Sequence, residues 1–203
     1  MTKNRAAKTA ARTRKTATGL SYTAARRTTA TPNTLTWGVR ALDHALTGIR
    51  VGSITTLAGR TEDGPGRLAR QIRTGLPFGV PSLHLGAAHA DLTDDELAQH
   101  VADYGATHSA GPVLVIVDRT EGITASVRQA PANVALLIVA GINRCATRPF
   151  GVADVSGPVL DVTCADMVLL TEGDDNGHTL VRVLKSRRGN LPVIELPQAT
   201  PAV

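Results

Sequence analysis

Residues 59–66 read Gly-Arg-Thr-Glu-Asp-Gly-Pro-Gly, and this stretch decides the fold class. Gly59 and Gly64 stand at the spacing of the phosphate-binding loop GxxxxGK[ST]. In that loop backbone N–H groups wrap the phosphates, the lysine reaches the β and γ oxygens, and the hydroxyl holds magnesium. The lysine and hydroxyl positions hold Pro65 and Gly66 here. The stretch therefore predicts a strand, a glycine turn and a helix arranged as in a nucleotide site, without the side chains that act on phosphate.

The lysine that this loop lacks is not supplied from nearby. The chain has four lysines, and none lies close to the loop: Lys3, Lys8, Lys15 and Lys185. A frame moved by two residues would put Arg67 where the lysine belongs. The following helix argues against that shift, because Leu68, Ile72 and Leu76 fall at i, i+4 and i+8 in the unshifted frame, as a helix packed on a sheet requires. An ordinary strand, turn and helix, unrelated to nucleotides, is the second interpretation.

Apolar runs and helical stretches alternate through the rest of the chain. A helix is predicted over residues 94–104, where Thr93 and Glu96 make a capping box. The alternation predicts an α/β fold, with a mostly parallel sheet flanked by helices and the last two strands as an antiparallel pair. The strands are expected near residues 53–58, 82–86, 113–118, 134–140, 166–171, 179–185 and 192–196.

Short segments on both sides of the loop follow one another in a particular order. They are TWGVRALD at 36–43, LTGIRVGS at 46–53, INR at 142–144, RP at 148–149, DVSG at 154–157, ADMVLL at 165–170 and KSRRG at 185–189. Together they resemble the motor domain of DnaB-type replicative helicases, a branch of the RecA-like ATPases. The resemblance covers most of residues 34–197 and implies a RecA-like fold. The chain is shorter than that family, so the family's DNA-binding loops and hexamer contacts are not carried over.

The family's reactive positions are mostly replaced in this chain. The resemblance places Ala88 where the catalytic glutamate stands and Gly141 where a glutamine senses the γ-phosphate. Asp118, after an apolar run, matches the carboxylate that holds a hydrated magnesium ion, although an Asp at a strand end is also a common turn residue. We expect no bound cofactor, with ATP and Mg²⁺ as the alternative. The resemblance implies a vestigial nucleotide site made of Gly59, Arg60, Gly64, Gly66, Arg67 and Asp118.

One catalytic element of the family looks intact. Lys185 and Arg187 match the pair that reaches across a subunit interface to the neighbour's γ-phosphate, as an arginine finger and its partner. The resemblance thus implies a trans-acting role. The other interpretation is a solvated basic strand end, since charge runs usually are solvated.

Charge divides the chain into two parts. Residues 1–33 contain eight Lys and Arg and no acid, whereas the other 14 basic residues share residues 34–203 with all 17 Asp and Glu. The first part is too polar to bury a core and is expected to be a disordered basic tail, followed by one degenerate RecA-like domain. A solubilising leader is the alternative. The tail residues predicted to contact nucleic-acid phosphates are Lys3, Arg5, Lys8, Arg12, Arg14, Lys15, Arg26 and Arg27.

Composition excludes several classes of site. No apolar stretch approaches the roughly 20 residues of a membrane span, so we expect no membrane partner and a cytoplasmic protein. Cys145, Cys164 and six histidines show no metal-ligand spacing, so no metal site is expected. Aromatic residues make up 2% of the chain, which is too few for a base-stacking platform. Any contact with nucleic acid should therefore be electrostatic.

These observations predict a protein that kept the RecA-like sheet and lost hydrolysis. It would associate with DNA or with a replication or helicase partner, and its basic tail would contact the nucleic-acid backbone. A DnaB-like helicase or a second copy of the chain are the protein partners considered. The alternatives are a divergent ATP-dependent DNA helicase that uses Arg67 and Asp118 in unusual ways, and a purely structural partner-binding domain.

Overall fold

The computed structural model describes ten parts of the chain. They are residues 34–46, 48–60, 64–86, 89, 92–118, 131–143, 145–155, 165–173, 179–186 and 193–196. Residues 1–33, which include the predicted basic tail, lie outside these ranges. Arg187 also lies outside them. The predictions made for them stay predictions.

Strands and helices alternate along the described residues. The strands are β1 (Thr34–Leu35), β2 (Ile49–Arg50), β3 (Ser53–Gly59), β4 (Ser82–Leu85), β5 (Val113–Asp118), β6 (Val134–Ala140), β7 (Met167–Gly173), β8 (Thr179–Ser186) and β9 (Ile194–Leu196). The helices are α1 (Arg40–Ala45), α2 (Pro65–Thr74) and α3 (Asp94–Thr107), with a 3₁₀ turn at Val152–Asp154. The seven predicted strands are present, while α1 and the short antiparallel pair β1–β2 were missed.

Seven strands form the central sheet in the order β4-β5-β6-β3-β7-β8-β9. The first five of that order run parallel. The β7–β8 and β8–β9 pairs are antiparallel. The predicted α/β architecture, with an antiparallel pair at the end, is therefore confirmed. The β7–β8 pairing was not predicted.

Helices cover the sheet on both faces, which explains why its central strands are apolar without alternation. On one face, the α2 face, Leu68 and Ile72 of α2 pack against β3, β5 and β6. On the other, the α3 face, Leu97 and Val101 of α3 pack against the same strands. All seven residues of β6 are buried. No helix in the described residues is long and apolar enough to cross a membrane.

The two ends of α3 are closed in different ways. At its start the predicted capping box is present: the Glu96 N–H donates to Thr93 Oγ1 at 3.3 Å, and the Thr93 N–H donates to Glu96 Oε2 at 2.8 Å. At its end Asn133 Nδ2 donates to the carbonyls of Gly105 at 2.9 Å and His108 at 3.2 Å. These bonds satisfy carbonyls that have no partner within the helix. They let α3 extend to Thr107, beyond the predicted limit.

A glycine–glycine contact holds the C-terminal end of α2. Gly75 follows the helix, and a Cβ on it would overlap the carbonyl oxygen of Gly38. Gly38 itself has φ +63°, a conformation that favours glycine, and a Cβ there would overlap the Gly75 carbonyl group. The backbones therefore touch where neither residue can carry a side chain. This contact ties the segment before α1 to the end of α2.

Candidate functional site

A pocket of about 250 Å³ lies at the N-terminal end of α2, outside the carboxyl ends of the parallel strands. Open α/β sheets commonly bind ligands at this position. Five of the six predicted vestigial residues line the pocket, together with Gly141. The lining residues are Gly59, Gly64, Pro65, Gly66, Arg67, Arg70, Asp118, Val139, Ala140 and Gly141.

A glycine and a proline begin α2 at the edge of the pocket. Gly64 is the N-cap residue, with φ +79° and ψ 29°, and its carbonyl accepts the first helical bond from the Leu68 N–H at 2.9 Å. Pro65 occupies the first helical turn. Proline fits that turn well because its missing N–H would have no partner inside the helix. The start of α2 therefore has one backbone N–H fewer, at Pro65, to offer to an anion in the pocket.

Gly66 faces Asp118 across the pocket. A Cβ built on Gly66 would lie 3.5 Å from Asp118 Oδ2, an ordinary van der Waals distance. Residue 66 and the Asp118 carboxylate are thus adjacent at the pocket, and there is space for a side chain at residue 66.

Gly59 is a glycine for a reason of packing. It pairs with Thr171 of β7, and a Cβ on Gly59 would overlap Thr171 Oγ1. That hydroxyl is completely buried and donates to the Ala58 carbonyl at 3.2 Å. The close approach of β3 and β7 therefore accounts for the first glycine of the loop without any ligand.

The two arginines considered for the nucleotide site are engaged elsewhere. Arg67 Nη2 donates to Thr179 Oγ1 of β8 at 2.8 Å, so its guanidinium is drawn toward that strand at one side of the pocket. Arg60 does not line the pocket. Its Nη2 donates to the Ala146 carbonyl at 3.2 Å and its guanidinium lies over the ring of Phe150. Arg67 thus lines the pocket while bonded to β8, and Arg60 lies outside the pocket.

Arg70 is a pocket residue that the sequence reasoning missed. It lies one turn beyond Gly66 on α2, and residues i and i+4 share a helix face. Its exposed side chain lines the pocket from that turn. The helical spacing from Gly66 was the signal that could have identified it.

His84 of β4 lies near the pocket with Asp118, Arg70 and Arg73 as charged neighbours. Burial lowers the pKa of His84 below its ordinary value; the two arginines lower this pKa further, while Asp118 opposes the shift. Its Nε2 is buried and makes no hydrogen bond. Burial and the two arginines thus favour the neutral form of the His84 imidazole at the β4–β5 edge. Across the described residues, no group of three or more His, Cys, Asp or Glu could hold a metal ion.

Lys185 lies away from this pocket. It pairs with Val168 near the start of β7, whereas the pocket borders the carboxyl ends of β3, β5 and β6. Its side chain is half-buried on β8. Arg187, its predicted partner, lies outside the described residues. Lys185 does not line the pocket of its own chain.

No protein-family model matches the sequence, and no curated protein matches it either. Solved structures do match at the level of fold. One is the ATPase domain of a DnaB-like helicase, which superposes with a TM-score of 0.63 at 14% sequence identity, over 83% of this chain and 89% of that chain. At this identity the likeness is one of fold. It supports the α/β RecA-like architecture that the sequence segments predicted.

Proposed function

We propose that this chain is a non-hydrolysing protein built on a helicase-related RecA-like fold, which associates with nucleic acid or with a helicase partner. The observation that carries the proposal is the facing pair of Gly66 and Asp118 beside Pro65. The pocket has one lining carboxylate, that of Asp118. It lacks the ammonium group, the hydroxyl and one backbone N–H that phosphate and magnesium would need.

The absence of these groups should abolish ATP hydrolysis, because phosphoryl transfer depends on them. Its catalysis consists almost entirely of positioning and charge neutralisation. Removing one preorganised donor from a transition-state site costs about 10²- to 10³-fold in rate. At least two such groups are absent here, so we expect turnover of ATP at the uncatalysed background.

Calorimetric titration of ATP·Mg²⁺ into the full chain, with a phosphate-release assay on the same sample, tests this proposal. The expected result is no saturable heat and no release above a buffer blank. Asp118→Ala serves as the control for trace contamination, because a contaminating ATPase is indifferent to this substitution. Turnover that Asp118→Ala abolishes would show a working site and overturn the proposal.

The association with nucleic acid rests on the charge of residues 1–33. Eight cations without an acid should neutralise phosphates with little sequence preference, and binding should weaken with salt, because each contact releases counterion. Replacing the eight Lys and Arg of this segment by Gln in the full chain is expected to remove most of the binding to duplex and single strands. A variant that binds as tightly as the wild type at low salt would exclude the tail as the binding element.

The divergent helicase is the less well supported candidate. It requires Arg67 to replace the lysine, and the Nη2 group of Arg67 is held by Thr179 of β8 at 2.8 Å. The two candidates also differ in what Pro65→Ala should do. A helicase that uses this loop would change its ATPase rate, whereas a non-hydrolysing protein would show background turnover with either residue.

A helicase partner can be tested through Lys185 and Arg187. If the pair completes the site of a competent neighbour, mixing this protein with a DnaB-like helicase from the same cell should stimulate that helicase's ATPase. The stimulation should be lost with Arg187→Ala and be insensitive to Pro65→Ala. Stimulation that is absent, or indifferent to Arg187, would assign both residues to surface charge.

A further inference from the structure

The outer edge of β4 carries backbone groups that pair with no strand in the described part of the chain. β4 stands at one end of the seven-stranded sheet, and within those residues it pairs with β5 alone. The Leu114 N–H of β5 donates to the Pro81 carbonyl at 3.1 Å. Because the bonding direction alternates from residue to residue along a strand, the N–H and C=O groups of Ser82 and His84 point outward. Such a row of unpaired groups is a template for an added strand.

The α2 side of this edge is positively charged. Arg70 and Arg73 are exposed on the last turns of α2 and are charged neighbours of His84 in β4. Burial raises the pKa of Tyr104 on α3, and the Arg73 guanidinium opposes that rise. Arg73 therefore lies close to groups on both faces of β4. Within the described residues, no side-chain hydrogen bond or ion pair occupies either guanidinium group.

Acidic residues near this edge are fewer or already bonded. Residues 64–90 contain three arginines and no Asp or Glu, while acidic residues stand just outside this range at positions 62, 63 and 91. Asp118 is the acidic neighbour of His84 and lines the pocket at the end of β5. On the α3 side, Asp103 accepts a bond from Gln99 Nε2 at 2.7 Å. The α2 side of the edge thus presents two arginines against one carboxylate.

A tight turn places an aromatic ring in solvent just before β4. The Val80 N–H donates to the Pro77 carbonyl at 3.1 Å, and Gly79 has φ +87°, a conformation that favours glycine in such a turn. Phe78, between them, is fully exposed. Charged residues that only guard an edge against pairing need no exposed aromatic ring beside them. Aromatic residues are instead enriched where a partner protein binds.

We propose that the outer edge of β4 binds an extended acidic segment of a partner protein as an added strand, with Arg73 on its α2 side and Phe78 before its first residue. Main-chain bonds to Ser82 and His84 supply affinity, and alternate side chains supply specificity. Acidic side chains of the added strand face Arg73. The side chains between them lie on the α3 face beside the half-buried Leu83 and are apolar. The site uses neither residues 1–33 nor ATP, so it goes beyond the function proposed above.

A second copy of the chain fits this edge less well. Antiparallel pairing of β4 with its own copy about a twofold axis places α2 of both copies on the same face of the joined sheet. Arg70 and Arg73 of both copies then share that face, and like charges across paired strands are destabilising. An acidic strand neutralises these arginines instead.

Fluorescence anisotropy with the full chain tests the charge of the site. The probe is a labelled peptide of about eight residues that alternates valine with glutamate, a length within the common range of strands. Arg73→Gln should weaken its binding about threefold, the contribution of an exposed ion pair. Arg50→Gln removes the same charge from an exposed position on β2 and should leave binding unchanged. Equal weakening by both variants, or an acidic peptide that does not bind the wild-type chain, overturns the proposal.

Two further variants test the backbone edge and the ring. Ser82→Pro removes an outward N–H without removing a donor to β5, and should weaken binding of the same peptide about fivefold, the contribution of one hydrogen bond. Phe78→Ser should weaken it about threefold, because the peptide covers part of the ring. Circular dichroism melting verifies that each variant is folded. Folded variants that both bind as tightly as the wild type exclude the β4 edge.

Methylated peptides test strand addition without changing the protein. N-methyl groups are placed on every second amide of the probe, in either of the two alternate sets. An added strand tolerates the set that faces away from β4 and loses binding with the set that faces it. Equal binding of the two methylated peptides overturns the added strand.

Sedimentation of the full chain separates a partner protein from a second copy. The expected result is a sedimentation coefficient that Ser82→Pro does not change. A dimer that Ser82→Pro dissociates would assign the β4 edge to self-association and overturn the proposal.

Discussion

The two ends of α2 both depend on glycine, yet for opposite reasons. At its N-terminal end Gly66 has room for a side chain beside Asp118. At its C-terminal end Gly75 touches the backbone of Gly38 and has none. The first glycine leaves space for a side chain at the pocket, and the second marks a close contact between segments. A glycine in a loop motif therefore indicates function only after the space around it is known.

Substitution of Gly75, at the crowded C-terminal end of α2, should have the largest effect on stability. Gly75 has φ −86°, which any residue can adopt, so the cost of Gly75→Ala arises from its clash with Gly38 alone. Forcing extra volume into a packed site costs typically 1–3 kcal/mol, and with backbone on both sides we expect about 3 kcal/mol. For a chain of this size each kcal/mol lowers the melting temperature by about 2–4 °C. Gly111→Ala is the control, since a Cβ there meets nothing within 4 Å. Equal melting temperatures for the two variants would contradict the packing argument.

Substitutions of the two loop glycines, Gly59 and Gly66, should likewise differ in their effect on stability. Gly59→Ala is expected to destabilise the protein by about 2 kcal/mol, because the added Cβ displaces the buried Thr171 hydroxyl from its bond to Ala58. Gly66→Ala meets only an ordinary contact and lies within α2. It should stabilise by about 0.5–1 kcal/mol, the usual difference between glycine and alanine in a helix. Urea denaturation measures the free energy of unfolding of both variants. If Gly66→Ala destabilises the protein as much as Gly59→Ala, there is no space for a side chain at residue 66.

A double substitution at the N-terminal end of α2 tests whether the pocket there can bind nucleotide. Pro65→Lys with Gly66→Thr returns an ammonium group, a backbone N–H and a hydroxyl to a pocket that already holds Asp118. We expect a gain in ATP·Mg²⁺ affinity of at least tenfold, or about 1.4 kcal/mol, by calorimetry. Asp118→Ala in the restored chain should lower the gain. A restored chain that binds no better than the wild type would show that the backbone frame is not that of a phosphate loop.

The smallest expected effect is a pH dependence at His84. Its pKa is lowered in the folded protein, chiefly by burial, so the unfolded chain binds more protons just below pH 6.5. The stabilisation due to neutral His84 is complete above pH 6.5 and is lost as the pH falls through the lowered pKa. His84→Gln should therefore flatten the decline of melting temperature below pH 6.5. An identical decline in the variant and the wild type would exclude His84 as its source.

Local patterns predicted much of this molecule. The capping box joins Thr93 to Glu96 within one helical turn, and the buried strands are continuous apolar runs, so both could be predicted from neighbouring positions. Five of the six residues predicted for the nucleotide site line the pocket. Arg67 shows the limit: its partner Thr179 is 112 residues away, and no local pattern predicts that bond.

The sequence by itself determined the fold class and the chemical content of the pocket. Both depend on residue identity and on spacing over a few residues: apolar runs, the spacing of the loop glycines, and Pro65 and Gly66 in place of lysine and hydroxyl. Only the tertiary structure decided which glycines are crowded, that Asn133 closes α3, and that Arg60 turns from the loop to Phe150. These features join residues far apart in the chain. Such residues meet only when the strands and helices have packed, so their pairing leaves no periodic signal in the sequence.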